Sequence, residues 1–137
     1  MKVGFIQQAN SHNPIDNLEY SLEQIKLAKQ EGAELVVLQE LHKHRYFCQQ
    51  ENERYFDLAE DINGATQAAL SASAKQHNVV IVGSIYEQRH AGLYHNTAIV
   101  IDSDGSLAGF YRKMHIPDDP GYYEKYYFAP GDNDFSP

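Results

Sequence analysis

The sequence has little cysteine, no tryptophan, few basic residues and no long apolar run. Its single cysteine, among 137 residues, excludes an intrachain disulfide and a zinc site built from cysteines. No uninterrupted apolar segment approaches the ~20 residues of a membrane span, and the N-terminus turns polar too early for a signal peptide. We therefore expect a cytoplasmic protein with no membrane partner.

The charge balance is acidic. Eleven Lys and Arg face 19 Asp and Glu, which gives a formal net charge of −8. Nucleic-acid-binding surfaces need clustered basic residues, so we expect no nucleic-acid partner. The hydrophobic fraction of 42% and the charged fraction of 22% are ordinary globular values and predict one domain over residues 1–137.

Hydrophobic patterning predicts an α/β fold. Short apolar runs, typical of buried strands, alternate with segments of helical periodicity, so the order is strand, helix, strand, helix, strand. The first helix is predicted to be capped by Asp16 and to stop at Gly32. The predicted strands cover residues 2–8, 34–39 and 79–85, and the second helix covers residues 65–77.

A hairpin and two irregular segments complete the pattern. Residues 96–101 and 107–111 flank an Asp-Gly turn, which is a strong hairpin signal. Residues 41–63 are predicted to be mostly loop with one short helix. From Arg112 onward, regular periodicity stops, and proline, glycine and aromatic residues predict a long loop, which is either functional or leads into structure that is absent.

Two charged residues of opposite sign follow predicted strands. Glu40 closes the second strand, and Lys113 follows the last one. Sites in α/β sheets gather at the carboxyl ends of strands. A carboxylate there could act as a general base, and an ammonium could stabilise an oxyanion. A structural ion pair at the sheet edge is the alternative, and spacing alone does not separate the two.

Four segments stand out in chain order: Leu38-Gln39-Glu40-Leu41, Tyr46-Phe47-Cys48-Gln49, the run Tyr111-Arg112-Lys113-Met114-His115-Ile116-Pro117, and the aromatic stretch from Asp118 to Phe128. Together they resemble the nitrilase superfamily of carbon–nitrogen hydrolases. Within that superfamily, the second and fourth segments look most like N-carbamoylputrescine amidases.

The resemblance implies a fold and an incomplete catalytic set. The fold would be a four-layer α-β-β-α sandwich, of which this chain is the N-terminal portion, and the complete enzyme would be a homo-oligomer. Glu40 would be the general base, Lys113 would stabilise the oxyanion, and Glu124 would help to hold the lysine and the substrate. No metal or cofactor is implied.

The resemblance also implies substrate contacts. Tyr46 matches a pocket tyrosine, with plain aromatic packing as the alternative. Apart from the resemblance, the carboxylates of Asp118 and Asp119 could attract the cationic tail of a ligand, although an Asp-Asp-Pro turn is the simpler interpretation.

The activity implied is hydrolysis of a small carbamoyl amine. N-carbamoylputrescine would yield putrescine, ammonia and carbon dioxide, a step of polyamine synthesis. A β-ureidopropionase or an aliphatic amidase is an alternative within the family. An alternative of another class is a short, non-catalytic chain that binds a ligand or pairs with a partner.

The family's nucleophilic cysteine comes later than any cysteine of this sequence. Cys48 does not occupy the nucleophile's place, so we expect it to be a packed, inert thiol and the 137-residue chain alone to be inactive. His42 and His44 form a His-x-His pair without an evident third metal ligand. We expect both to be solvated loop histidines.

Overall fold

A computed structural model describes residues 1–133, so the last four positions of the expected 1–137 domain lie outside it. The α/β class is confirmed. The described elements are β1 (Val3–Ile6), α1 (Pro14–Gln30), β2 (Leu35–Leu38), a 3₁₀ helix (Glu53–Leu58), α2 (Ala65–His77), β3 (Val80–His90), β4 (Leu93–Ile101), β5 (Leu107–Arg112) and α3 (Glu124–Tyr127).

The five strands form one sheet in chain order. β1, β2 and β3 are parallel. β4 is antiparallel to β3, and β5 is antiparallel to β4, so β5 runs in the same direction as β2. Parallel neighbours need a crossover, which α1 and α2 provide. As a consequence, the chain that leaves β2 and the chain that leaves β5 meet at one edge of the sheet.

Helix α1 begins at Pro14, and Asn13 is its cap. The Asn13 side chain accepts a hydrogen bond from the backbone N–H of Ile15 at 3.0 Å. The predicted cap at Asp16 is therefore wrong, because proline suits the first helical position and moves the start three residues earlier. Asp16 lies in the first turn instead, and its carboxylate accepts a hydrogen bond from Asn13.

Both long helices pack on the same face of the sheet. There they enclose a core of aliphatic side chains: Ile25, Ala33, Val36, Leu38, Leu70, Ala74, Val79, Ile81, Ile85, Ile99 and Ile101. The opposite face carries exposed apolar residues, with Phe5 77% exposed. The 3₁₀ helix and α3 lie on this second face, where aromatic side chains that include Phe47, Tyr86, Tyr127 and Phe128 form a separate buried cluster.

Two parts of the chain are more regular than the sequence predicts. β3 continues to His90, and β4 already begins at Leu93. The two strands form a hairpin around Gly92, whose φ of 80° suits glycine. The halves of β3 and β4 next to this turn carry many polar side chains, so a search for apolar runs does not detect them as strands. Within the segment predicted to be irregular, Glu124–Tyr127 form a single helical turn. None of the helices within residues 1–133 has the length and apolar character that crossing a bilayer requires.

Candidate active site

Lys113 lies between two carboxylates. Its Nζ is 3.1 Å from Glu40 Oε1 and 2.7 Å from Glu124 Oε2. Glu124 is 3% exposed, whereas the Glu40 side chain is half-exposed. The residue that faces solvent and the residue that is buried thus share one ammonium group, at the edge where β2 and β5 end.

The position of Lys113 is fixed by its backbone and by its neighbour. The Lys113 N–H donates to the Asn96 carbonyl at 2.9 Å, and its carbonyl accepts from the Gly131 N–H at 2.9 Å. Arg112 precedes it and forms a buried bidentate pair with Glu87 at 2.6 and 2.8 Å. Because consecutive strand residues point to opposite faces, anchoring Arg112 on the helix side directs Lys113 to the other side.

Glu40 is held by Asn96. The Asn96 side-chain amide donates to Glu40 Oε1 at 2.5 Å, on the same oxygen that contacts Lys113. Glu40 Oε2 accepts no hydrogen bond from any other residue in the range 1–133. Sequence reasoning missed Asn96; its only signal was a buried-strand position occupied by an amide. Among the residues described, Oε2 is therefore the Glu40 oxygen available to a ligand.

Glu124 is held by Tyr46. The Tyr46 hydroxyl donates to Glu124 Oε1 at 2.9 Å, and the Tyr46 ring packs against Tyr122 with centroids 5.9 Å apart. The predicted site residues Glu40, Lys113, Glu124 and Tyr46 therefore lie in one hydrogen-bonded series. In this arrangement the Tyr46 hydroxyl is already used by a protein carboxylate.

The electrostatics of the series favour a charged lysine. Burial by itself lowers the pKa of Lys113, but its hydrogen bonds to Glu124 and Glu40 outweigh burial, and the net pKa is raised. Burial, together with the hydrogen bond to Glu124, raises the pKa of Tyr46. The lysine stays an ammonium and the tyrosine stays a hydroxyl donor at neutral pH.

Two cavities adjoin Glu40. The first has a volume of about 280 Å³ and opens on the sheet face opposite the helices. Its walls include Lys113, Asn96 and apolar side chains such as Val82 and Ala98. The second has a volume of about 310 Å³ and lies between Glu40, Asn10 and Tyr46. Either volume accommodates a small amide or ureido group beside the two charges.

Asp118 stands apart from this group. It is exposed and lines neither cavity beside Glu40. The local turn also differs from the predicted Asp-Asp-Pro turn. It runs from Asp119 to Tyr122, with Gly121 at a φ of 82°, because a Pro-Gly pair suits the two central positions of a type II turn.

Cys48 is fully buried, as expected. Burial, and then the negative charges of Glu124 and Glu40, raise the pKa of its thiol to about 12. The thiolate is the reactive form of cysteine, so this thiol is unsuited to nucleophilic attack at neutral pH.

The prediction that His42 and His44 are solvated is wrong. They are 1% and 7% exposed. Burial lowers the pKa of each to about 4; the charge of His44 adds to the effect on His42, and that of Lys43 adds to the effect on His44. Both rings are neutral at pH 7. They lie inside the fold because the loop after β2 turns inward beneath α1.

Comparison with known proteins gives a consistent family. The profile of the carbon–nitrogen hydrolases matches residues 2–137. A citrullinase from Francisella tularensis is 39% identical over 98% of this chain and 47% of its own length. An N-carbamoylputrescine amidase from Solanum lycopersicum is 40% identical over 97% of this chain and 44% of its own length. The chain thus spans less than half the length of these relatives.

Solved structures show the same fold. A carbon–nitrogen hydrolase from Helicobacter pylori G27 is 48% identical, with a TM-score of 0.89, over 95% of this chain and 45% of its own. A more distant amidase from Nesterenkonia, 22% identical, shares the fold with a TM-score of 0.77. On this evidence, the chain belongs to the carbon–nitrogen hydrolase family of the nitrilase superfamily.

Proposed function

We propose that the protein carrying this chain hydrolyses the carbon–nitrogen bond of a small N-carbamoyl amine, and that Glu40, Lys113 and Glu124 take part in catalysis. The observation that carries the proposal is the position of Lys113, which bridges an open carboxylate and a buried one beside a small cavity. A purely structural ion pair would need no cavity at its side.

The geometry supports a division of roles. The open Oε2 of Glu40 would accept the proton of a thiol nucleophile and deliver it to the departing ammonia. Lys113 would stabilise the negative oxygen of the tetrahedral intermediate. Glu124, fixed by Tyr46, would keep the ammonium in place.

The nucleophile itself would be a thiol that residues 1–137 do not supply, since Cys48 is buried and protonated. Its sulfur would attack the ureido carbon and expel ammonia. Water, deprotonated by Glu40, would then break the carbon–sulfur bond and release a carbamic acid, which decays to the amine and carbon dioxide. Every step uses only substrate, thiol and water.

We propose N-carbamoylputrescine as the substrate, which would place the protein in polyamine synthesis. The similarity to N-carbamoylputrescine amidases over nearly the whole chain supports this choice, and the net charge of −8 suits a cationic tail. Tyr46 borders the second cavity, where it could contact that substrate as well as Glu124. Asp118 could act only at longer range.

The test is ammonia release by the complete protein from a panel of four compounds. The panel contains N-carbamoylputrescine, citrulline, N-carbamoyl-β-alanine and a simple aliphatic amide. The highest kcat/KM is expected for N-carbamoylputrescine. A preference for any other compound would replace the substrate but keep the reaction class, and release from none would overturn the function and favour a non-catalytic binding role.

Two further parts of the proposal concern the chain by itself. Residues 1–137 form the N-terminal part of one hydrolase domain, and the complete protein is a homo-oligomer. The isolated chain has no turnover, because a catalytic set loses most of its rate with one member missing. Ammonia release from N-carbamoylputrescine by the purified chain would contradict this.

A further inference from the structure

The loop after β2 carries Glu40 and Tyr46 and is held by side-chain amides from another part of the chain. We call residues 39–46 the Glu40 loop. Three amides donate to three consecutive carbonyls of this loop. The bonds run from Gln8 Nε2 to the carbonyl of His42 at 3.2 Å, from Asn17 Nδ2 to Lys43 at 3.0 Å, and from Asn10 Nδ2 to His44 at 2.5 Å.

The three residues are also linked to one another. Gln8 Nε2 donates to the side-chain Oδ1 of Asn10 at 2.8 Å, and its two hydrogens are shared among this oxygen and the backbone carbonyls of Asn17, at 3.1 Å, and His42. The Asn17 carboxamide is 4% exposed and is bound on both sides to the backbone of Ser11, at 2.7 and 3.0 Å. We call Gln8, Asn10 and Asn17 the amide clamp. A connected, satisfied network of this kind fixes a single loop conformation.

The loop needs such support because its backbone is strained next to Glu40. Leu41 has a φ of 49°, in the left-handed region that a branched side chain adopts at a cost on the order of 1 kcal/mol. Its N–H is satisfied by Ser84 Oγ at 3.1 Å. Gln8 also bonds to the residue before Glu40, because its backbone N–H donates to the side-chain oxygen of Gln39 at 2.7 Å.

We infer that the amide clamp positions Glu40 for catalysis, and that Asn17 is its central positioning residue. This inference rests on the proposed function for its catalytic consequence. None of the three amides donates to the Glu40 carboxylate, so the clamp acts through the backbone of the loop. Without it, the loop would relax at Leu41 and move Glu40 away from Asn96 and Lys113.

The test replaces Asn17 by aspartate in the complete protein. Asn17→Asp preserves size and the acceptor for Ser11, but it removes both donated bonds and sets a carboxylate oxygen against two carbonyls. We expect kcat to fall at least about tenfold with KM changed by less than about threefold, because misplacing a catalytic group affects the chemical step. Asn63→Asp, on an exposed asparagine before α2, is the matched control.

A second readout does not depend on activity. The side-chain amide of Asn96 bonds to Glu40 and is not bonded to the clamp, so its NMR resonance reports where Glu40 lies. We expect this resonance to move in Asn17→Asp and to stay in Asn63→Asp. Circular dichroism and thermal unfolding confirm that each variant is folded at the assay temperature.

The outcomes separate the two proposals. A folded Asn17→Asp variant with wild-type kcat, or with an unmoved Asn96 resonance, would overturn the positioning role. If the wild-type protein hydrolyses none of the ureido or amide compounds, the proposed function fails, and the Asn96 resonance alone decides whether the clamp positions Glu40. Should Asn17→Asp unfold, Asn10→Asp, which loses only the bond to the His44 carbonyl, is judged by the same two readouts.

Discussion

Arg112 and Lys113 are adjacent in the chain, yet their side chains meet different glutamates on opposite sides of the sheet. Arg112 forms a bidentate pair with Glu87 among core residues, and Thr97 donates to the same carboxylate at 2.6 Å. Lys113 lines the first cavity beside Glu40 and donates to Glu124. The Arg112–Glu87 pair thereby directs the Lys113 side chain toward Glu124. A buried ion pair that stabilises the fold and the candidate catalytic lysine are thus adjacent in the chain.

Removing Arg112 is expected to destabilise the fold strongly. Arg112→Met leaves the Glu87 carboxylate, which is 1% exposed, without its counterion, and breaking such a buried pair typically costs about 3–5 kcal/mol. The double variant Glu87→Leu with Arg112→Met is expected to recover most of this loss. Urea unfolding measures both. A loss below about 1 kcal/mol in the single variant would show that the pair is not a stability element.

Replacing Lys113 is expected to affect the rate more than the fold. In the complete protein, Lys113→Met is expected to lower kcat by about a hundredfold or more, since one donor to a developing oxyanion supplies that much. Lys26→Met removes a lysine from an exposed pair with Glu23 and serves as the control. Ammonia release under saturating substrate measures the effect. Equal rates for the two variants would remove Lys113 from the catalytic set.

Acidification is expected to weaken the fold through His42 and His44. Burial lowers the pKa of each from 6.5 to about 4, so the unfolded chain binds more protons between these values. Stability is then complete above pH 6.5 and declines as the pH falls toward 4, by a few kcal/mol for the two rings together. Urea unfolding at pH 7.5 and pH 5.0 measures the difference.

The matched variants for this effect are His42→Gln and His90→Gln. The first removes a buried ring and is expected to reduce the difference between the two pH values. The second removes an exposed ring and should leave the difference as it is. If His42→Gln and the wild type lose the same free energy on acidification, the buried histidines are not its source.

Cys48 is expected to resist thiol reagents in the folded chain. It is fully buried, and its thiol has a pKa raised to about 12, so very little thiolate exists at pH 8. In the 137-residue chain, which has one cysteine, an aromatic disulfide reagent should react slowly under native conditions and rapidly in guanidinium. Fast native labelling, with circular dichroism showing a folded chain, would contradict the packing described for Cys48.

The features that depend on local sequence pattern could be predicted from the sequence alone. The parallel β-α-β-α-β order follows from periodicity, and Glu40 and Lys113 stand out as charges that follow apolar strands. The Asn96 contact and the Tyr46–Glu124 bond were beyond reach, because they join residues 56 and 78 positions apart. No local signal reports such a pairing.

For His42 and His44, the local pattern predicts the wrong environment, since both are buried. A polar stretch after a strand predicts a surface loop, and residues 42–44 are polar. Their burial depends on the amides of Gln8, Asn10 and Asn17, which satisfy the loop carbonyls inside the protein. A buried loop is possible only when such partners exist, and partners distant in sequence are invisible to composition.

The ion pair between Glu40 and Lys113 joins residues 73 positions apart, and Lys113 follows β5, the last strand within residues 1–133. A contact of such wide separation carries a cost in loop-closure entropy, because the intervening chain must be closed when the contact forms. A nascent polypeptide that has emerged only as far as β4 therefore holds its acid without its base. The pairing of acid and base therefore requires that the chain has been made at least as far as the residue that follows β5.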